Sequence, residues 1–200
     1  VIEASESETG MIASRIGCES DAKYAIQITN VGSGYSRLTD DFLYNAWNFE
    51  GQEVFKRAVK AMAQASADVL DQAGMSLKDV KLVVPHQANK RILDALAKRI
   101  GISEDKVFVN VHKYGNTSAG TIPVALAEAL EEGRIKPDDH ILMASFGAGL
   151  TYGAGLIKWS NRVIPLTTSD AELPPCEQTG LEIIASHVDR YKKHSLESVS

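Results

Sequence analysis

The chain has 200 residues, a net charge of −5, 44% hydrophobic and 24% charged residues, the composition of an ordinary globular protein rather than a disordered one. The acidic balance argues against general nucleic-acid binding. No apolar run reaches membrane-span length, and the amino terminus does not read as a signal peptide.

Cys18 and Cys176 lack metal-ligand spacing, and a single disulfide would be an odd framework, so no metal and a reducing compartment are expected. The chain opens inside what reads as a strand, at Val1-Ile2-Glu3-Ala4, and is expected to be a processed or truncated piece. Val1 to Ile16 reads as two extended pieces about a turn at Glu8-Thr9-Gly10, and Ala22 to Ile28 as a further strand. Thr29 to Gly51 mixes Asn, Gly, Ser and Asp with Tyr35, Phe42, Tyr44, Trp47 and Phe49. Such an excursion is either a lid or interface piece, or a surface loop pinned by its aromatics.

Gln52 to Ala73 predicts a helix, with Val54, Phe55, Ala58, Val59, Met62, Val69 and Leu70 at helical spacing and Gly74 as its stop. Val80 to Val84 is β-branched and almost wholly apolar, a buried strand that Pro85 ends because proline has no N–H for a ladder. Ala88 to Ile100 predicts the next helix, and Val107 to Val111 the next strand. Thr117 to Glu131 reads as a largely buried helix, since its first half carries little charge. Strands at 140–146 and Leu150 to Trp159 follow. Helix-linked strands imply parallel pairing, and the short final turn implies one antiparallel return. Beyond Trp159, Leu173-Pro174-Pro175 reads as linker, and Leu181, Ile184, Val188 and Tyr191 as an amphipathic stripe.

Three strand ends carry the chemistry. His86 follows the buried strand, where ligands bind in open α/β sheets. Asn116 lies in the loop after the second strand, and Gly147-Ala148-Gly149 follows the third. A neutral histidine and an asparagine can both donate hydrogen bonds to a carbonyl oxygen as it gains negative charge. The helix after His86 disfavours imidazolium. Each feature alone has a plainer reading: a strand-end histidine, a turn asparagine, a tight hairpin. His112 and His140 read as structural, His187 and His194 as solvated. Lys90, Arg91, Lys98 and Arg99 form a basic face on an acidic chain, which is either a site for an acidic or phosphate-bearing partner or a solvated helix face.

The motifs Pro85-His86-Gln87-Ala88-Asn89, Tyr114-Gly115-Asn116-Thr117-Ser118-Ala119, Gly133-Arg134-Ile135-Lys136-Pro137 and Ser145-Phe146-Gly147-Ala148-Gly149-Leu150-Thr151 resemble, in order and spacing, the carboxyl-terminal half of β-ketoacyl-acyl-carrier-protein synthase III. The resemblance runs from Val1 to about Trp159. It implies an α/β, thiolase-like fold, this chain holding a mixed five-stranded sheet with helices on both faces. It divides the chain into residues 1–28, the end of the amino-terminal half; 29–159, the carboxyl-terminal half; and 160–200, a linker and tail outside the family pattern.

The implied activity is the decarboxylative condensation of acyl-coenzyme A with malonyl-acyl carrier protein that starts fatty-acid synthesis. His86 and Asn116 would be catalytic, and Ala148 would give a backbone N–H to an oxyanion. Gln87, Ala88, Asn89, Lys90 and Arg91 would dock the carrier protein, with Arg91 the main cation and Asn89 near the pantetheine arm. No cofactor is implied, since the substrates bring their own phosphopantetheine. Implied partners are acyl carrier protein, coenzyme A thioesters, an absent amino-terminal half with the nucleophilic cysteine, and a second copy in the complete enzyme; nucleic acid and membrane are not. Neither Cys18 nor Cys176 matches the nucleophile. The cytoplasm or a plastid stroma is the expected location. A non-catalytic carrier-binding module and a structural half-subunit are the alternatives.

Overall fold

The computed structural model describes residues 8–28, 47–164, 171, 175, 177–185, 188 and 189. Most of the aromatic excursion, Tyr35, Phe42 and Tyr44 included, lies outside the described residues, as do Cys176, His187, Tyr191 and His194. The chain divides into two compact units, Val1–Ile164 and Pro165–Ser200.

In the first unit, strands β1 (Gly10–Cys18), β6 (Thr151–Lys158), β5 (His140–Gly147) and β4 (Leu82–Pro85) lie side by side in that order. β4 and β5 are parallel, while β6 is antiparallel to both β5 and β1. The fifth expected strand is reduced to a single parallel bridge between Val83 and Val107, with Phe108 N–H donating to Val83 O at 2.9 Å. It stops there because the chain turns at once into the short helix α3 (Val111–Tyr114). A separate hairpin pairs β2 (Ile26–Ile28) with β3 (Trp47–Phe49).

Gly10 was expected in a turn and instead opens β1; Ala22, where a strand was expected to begin, closes a 3₁₀ turn over Ser20–Ala22, and the strand starts only at Ile26. Arg57 joins this segment to the long helix α1 (Gly51–Gln72), pairing with Glu19, Asp21 and Glu53.

Alternation along β4 sorts the core, because successive side chains point to opposite faces. Leu82 and Val84 pack with Phe108, Ala125, Ala129, Ile135 and Ile141, beneath helix α4 (Thr121–Glu131). Val83 faces the other way, with Val69, Ala97, Leu142 and Leu156, beneath α1 and helix α2 (Lys90–Ile100). Met62, Ile92, Leu96 and Ala144 continue that layer. Each fully buried leucine or isoleucine contributes about 1.5–3 kcal/mol, so helices on both faces are what this apolar sheet requires.

The connections have a consequence for the site. From β4 the chain crosses through α2 to Val107 on one side, then through α4 to β5 on the other. Right-handed crossovers in opposite directions put their helices on opposite faces and open a crevice at the carboxyl end of the central strand. His86 is the residue at that end.

In the second unit, Gly180 to Ala185 are helical. Thr179 and Glu182 form a reciprocal cap: Thr179 N–H donates to Glu182 Oε2 at 2.6 Å, and Glu182 N–H to Thr179 Oγ1 at 3.3 Å. Leu181, Ile184 and Val188, the described members of the expected stripe, are exposed. Among the described residues no helix is long and apolar enough to cross a membrane.

Candidate functional site

β4 ends at Pro85, but the chain keeps its alignment for one more residue, because His86 N–H donates to Ala144 O at 2.8 Å. That bond fixes where the imidazole starts. The ring stands edge-on to Phe146, centroids 5.6 Å apart at 69°. Its Nδ1 lies 2.6 Å from Thr121 Oγ1 at the first residue of α4. β5 and α4 therefore hold His86 from two sides, and Nε2 makes no hydrogen bond among the described residues. Burial lowers its pKa below the ordinary histidine value. The positive end of α4 acts in the same direction, so the ring is neutral near pH 7. The helix end that touches His86 is thus α4 and not the one that follows it in sequence.

Gln87 turns out differently from the expectation. It is only 1% exposed, and its whole amide is spent on backbone: Nε2 donates to Pro85 O and Phe108 O, and Oε1 accepts from Asn110 N and Val111 N. A side chain so placed cannot dock a protein. It is a strut that ties the His86 turn to the segment leading toward Asn116. From there the strut continues through Asn110, whose Nδ2 donates to Glu128 Oε2 at 2.8 Å, and Lys113 pairs with the same carboxylate. These two bonds, Lys113 first, hold the Glu128 carboxyl below its usual range.

Asn116 is exposed, and its Oδ1 accepts the Ser118 N–H at 2.9 Å. With the oxygen so engaged, the amide NH₂ is left as the outward donor. Ser118 has φ +53°, a left-handed conformation that costs a non-glycine residue about 1 kcal/mol. The bond to Asn116 helps hold it there. The expected helix from Thr117 begins only at Thr121, after a 3₁₀ turn at Ser118–Gly120, and Thr117 to Ala119 are exposed where burial was expected. Thr121 thus connects the Asn116 segment to the His86 ring.

The hairpin between β5 and β6 supplies the third element, beginning two residues past Phe146. Ala148 is exposed, and its carbonyl accepts Thr151 Oγ1 at 3.2 Å. Gly149 has φ +134°, and a Cβ there would lie 3.1 Å from Thr151 N, so the turn itself demands glycine.

On α2, Asn89 is the N-cap, its Oδ1 accepting Ile92 N–H at 3.0 Å. Ala88 is half-buried against the α1–α2 layer. Lys90 pairs with Asp94 at 2.7 Å, while Lys98 and Arg99 lie in the last turn, where cations suit the helix dipole. Arg91 is exposed and makes no ion pair among the described residues. Of the five expected docking residues, Arg91 is thus the cation left available. A cleft lined by Phe108, His112, Lys113, Glu128 and Arg134 does not include His86, and its Lys113 and Arg134 are engaged with Glu128 and Asp105 O.

Sequence reasoning missed Thr121 and Phe146. Thr121 offered only a hydroxyl within an otherwise apolar stripe, and Phe146 looked like one more core residue.

Residues 70–159 match the family model described as 3-oxoacyl-[acyl-carrier-protein] synthase III C terminal. The chain is similar to the carboxyl-terminal half of the synthase III family. A β-ketoacyl-[acyl-carrier-protein] synthase III 2 of Vibrio cholerae is 45% identical over 197 residues, 98% of this chain and 54% of that protein. The crystal structure of the Aquifex aeolicus synthase III shares 42% identity at a TM-score of 0.69, covering 78% of this chain and 46% of that one. The Pseudomonas aeruginosa structure shares 30% at 0.71, covering 82% and 48%. The fold is thiolase-like. The chain spans about half the length of the relatives it matches.

The family model stops at Trp159, whereas the match to the Vibrio synthase III 2, over 98% of the chain, runs on into the residues beyond it.

Proposed function

We propose that this chain is the carboxyl-terminal half of a synthase III-type condensing enzyme, joining an acyl group from acyl-coenzyme A to malonyl-acyl carrier protein with loss of CO₂. The observation that supports it best is the pair of held donors. His86 is neutral and gripped on its Nδ1 side, and Asn116 has its oxygen engaged and its NH₂ outward.

The chemistry then follows the electrons. The bond between the malonyl carboxylate and Cα breaks, CO₂ leaves, and the electron pair moves toward the thioester oxygen. His86 Nε2–H and Asn116 Nδ2–H stabilise that enolate. Its carbon attacks the acyl thioester, Ala148 N–H receives the resulting oxyanion, and the enzyme thiolate leaves. That thiol belongs to an amino-terminal half outside this chain. Cys18 lies exposed at the end of β1 and does not take that role. Arg91 meets the acidic carrier protein, and no cofactor beyond the substrates' phosphopantetheine takes part. The complete enzyme is a homodimer working in an aqueous, reducing compartment.

The test uses the complete synthase and separates the half-reactions. His86→Ala should reduce CO₂ release from malonyl-carrier protein far more than acyl transfer from coenzyme A to the thiol. Equal losses in both would reject the assignment.

A further inference from the structure

Thr121 holds one hydroxyl proton between two acceptors. Its Oγ1 lies 2.6 Å from His86 Nδ1 and 3.0 Å from Ser118 O, and the residue is 3% exposed, so no solvent proton is at hand. If the hydroxyl donates to Ser118 O, Nδ1 must carry the histidine proton and donate to Oγ1. A neutral ring then presents Nε2 to the crevice as a bare lone pair, which repels a developing oxyanion. If the hydroxyl donates to Nδ1, the same neutral ring presents Nε2–H. One proton on one threonine thus decides whether His86 is a donor or an acceptor where substrate sits.

The second arrangement is cheap in this structure. Ser118 O also accepts the backbone N–H of Thr121, so it keeps a partner when the hydroxyl turns away, and no buried carbonyl is orphaned. An imidazolium would donate from both nitrogens, but the ring stands between Phe146 and the positive end of α4, with no carboxylate on it. A neutral ring with a fixed tautomer is the remaining way to offer a donor.

We propose that Thr121 is a positioning residue that donates its hydroxyl proton to His86 Nδ1 and so holds the imidazole in the Nε2–H form required at the thioester oxygen. This deepens the proposed function and rests on it for the purpose of the donor, while the tautomer itself is measurable without turnover.

The experiment is ¹⁵N NMR of histidine-labelled complete synthase at a pH above the imidazole titration, with His86 assigned by its loss in His86→Gln. Wild type and Thr121→Ser, which keeps the hydroxyl, should show a pyridine-like Nδ1 and a pyrrole-like Nε2. Thr121→Val, of nearly the same shape, should lose that preference. Its decarboxylation should fall about tenfold or more, short of the 10²–10³ that outright loss of an oxyanion donor costs, with acyl transfer unchanged. A wild-type ring protonated on Nδ1, or a valine variant still fixed as Nε2–H, overturns the proposal. If the valine variant does not fold, the wild-type and serine spectra decide. If His86→Ala leaves decarboxylation intact while the spectra are as expected, the functional reading falls and the role of Thr121 stands.

Discussion

His86 and Asn116 are offered as one pair, yet the structure holds them in different ways. His86 is half-buried and secured by three contacts from two elements: the backbone bond to Ala144 and the ring of Phe146 on β5, and the hydroxyl of Thr121 on α4. Asn116 is exposed and fixed by its own turn through Ser118 N–H. The first is positioned by the tertiary fold, the second by local geometry. A residue held by the fold should be sensitive to distant packing changes, whereas one held locally should respond only to its neighbours.

The sharpest way to test that difference is Asn116→Asp. Aspartate keeps the oxygen that accepts Ser118 N–H but loses the NH₂ donor and adds a charge. The turn should survive, with an unchanged melting temperature, while decarboxylation falls by at least about 10²–10³, or 2.7–4 kcal/mol. Unaltered CO₂ release would remove Asn116 from the donor pair.

Gln87→Ala attacks the other member indirectly. It deprives one buried and one part-buried N–H and two C=O groups of a partner, which should destabilise the protein by about 2–4 kcal/mol at roughly 1–3 kcal/mol per orphaned group, offset by relaxation. Denaturant titration measures it. The loss should also disturb the His86 resonance and leave that of Asn116 nearly still; the reverse pattern would contradict the comparison.

Arg91→Glu should weaken use of carrier-protein substrates about tenfold while small pantetheine thioesters are used as before, and the difference should shrink as salt rises. KM measured with the two substrate types at two ionic strengths checks it.

A smaller effect concerns acid. Burial lowers the His86 pKa in the folded state, so on acidification the unfolded chain takes the proton first. Stability should therefore decline as pH falls below the ordinary histidine value of about 6.5, continuing until the lowered folded value is reached. His86→Gln should flatten this part of the stability profile. An unchanged slope would mean the imidazole is as free to protonate in the fold as outside it.

Much of the fold was legible because periodicity and punctuation are local. The α1 stripe from Val54 to Leu70, the apolar run before Pro85 and the glycines after each helix specify helix, buried strand and stop without reference to the rest of the chain. The motif residues of the site could likewise be listed, with their order along the sheet edge.

Tertiary contact alone decided what those residues do. Gln87 stands between two motif neighbours and looks like a surface polar group, yet the bridge at Val107 brings backbone amides within reach and draws its side chain inside. Thr121 looked like part of an apolar helix, and only the crossing of α4 over the end of β4 places its hydroxyl on the imidazole. Val107 to Val111 had the composition of a strand, but the turn into α3 left it one bridge. The sequence by itself determined which side chains were present and in what local conformation most of them lie, because those depend on near neighbours. Which polar groups met, and so which nitrogen of His86 faces the crevice, depended on contacts between residues 21 to 35 positions apart, which no local pattern encodes.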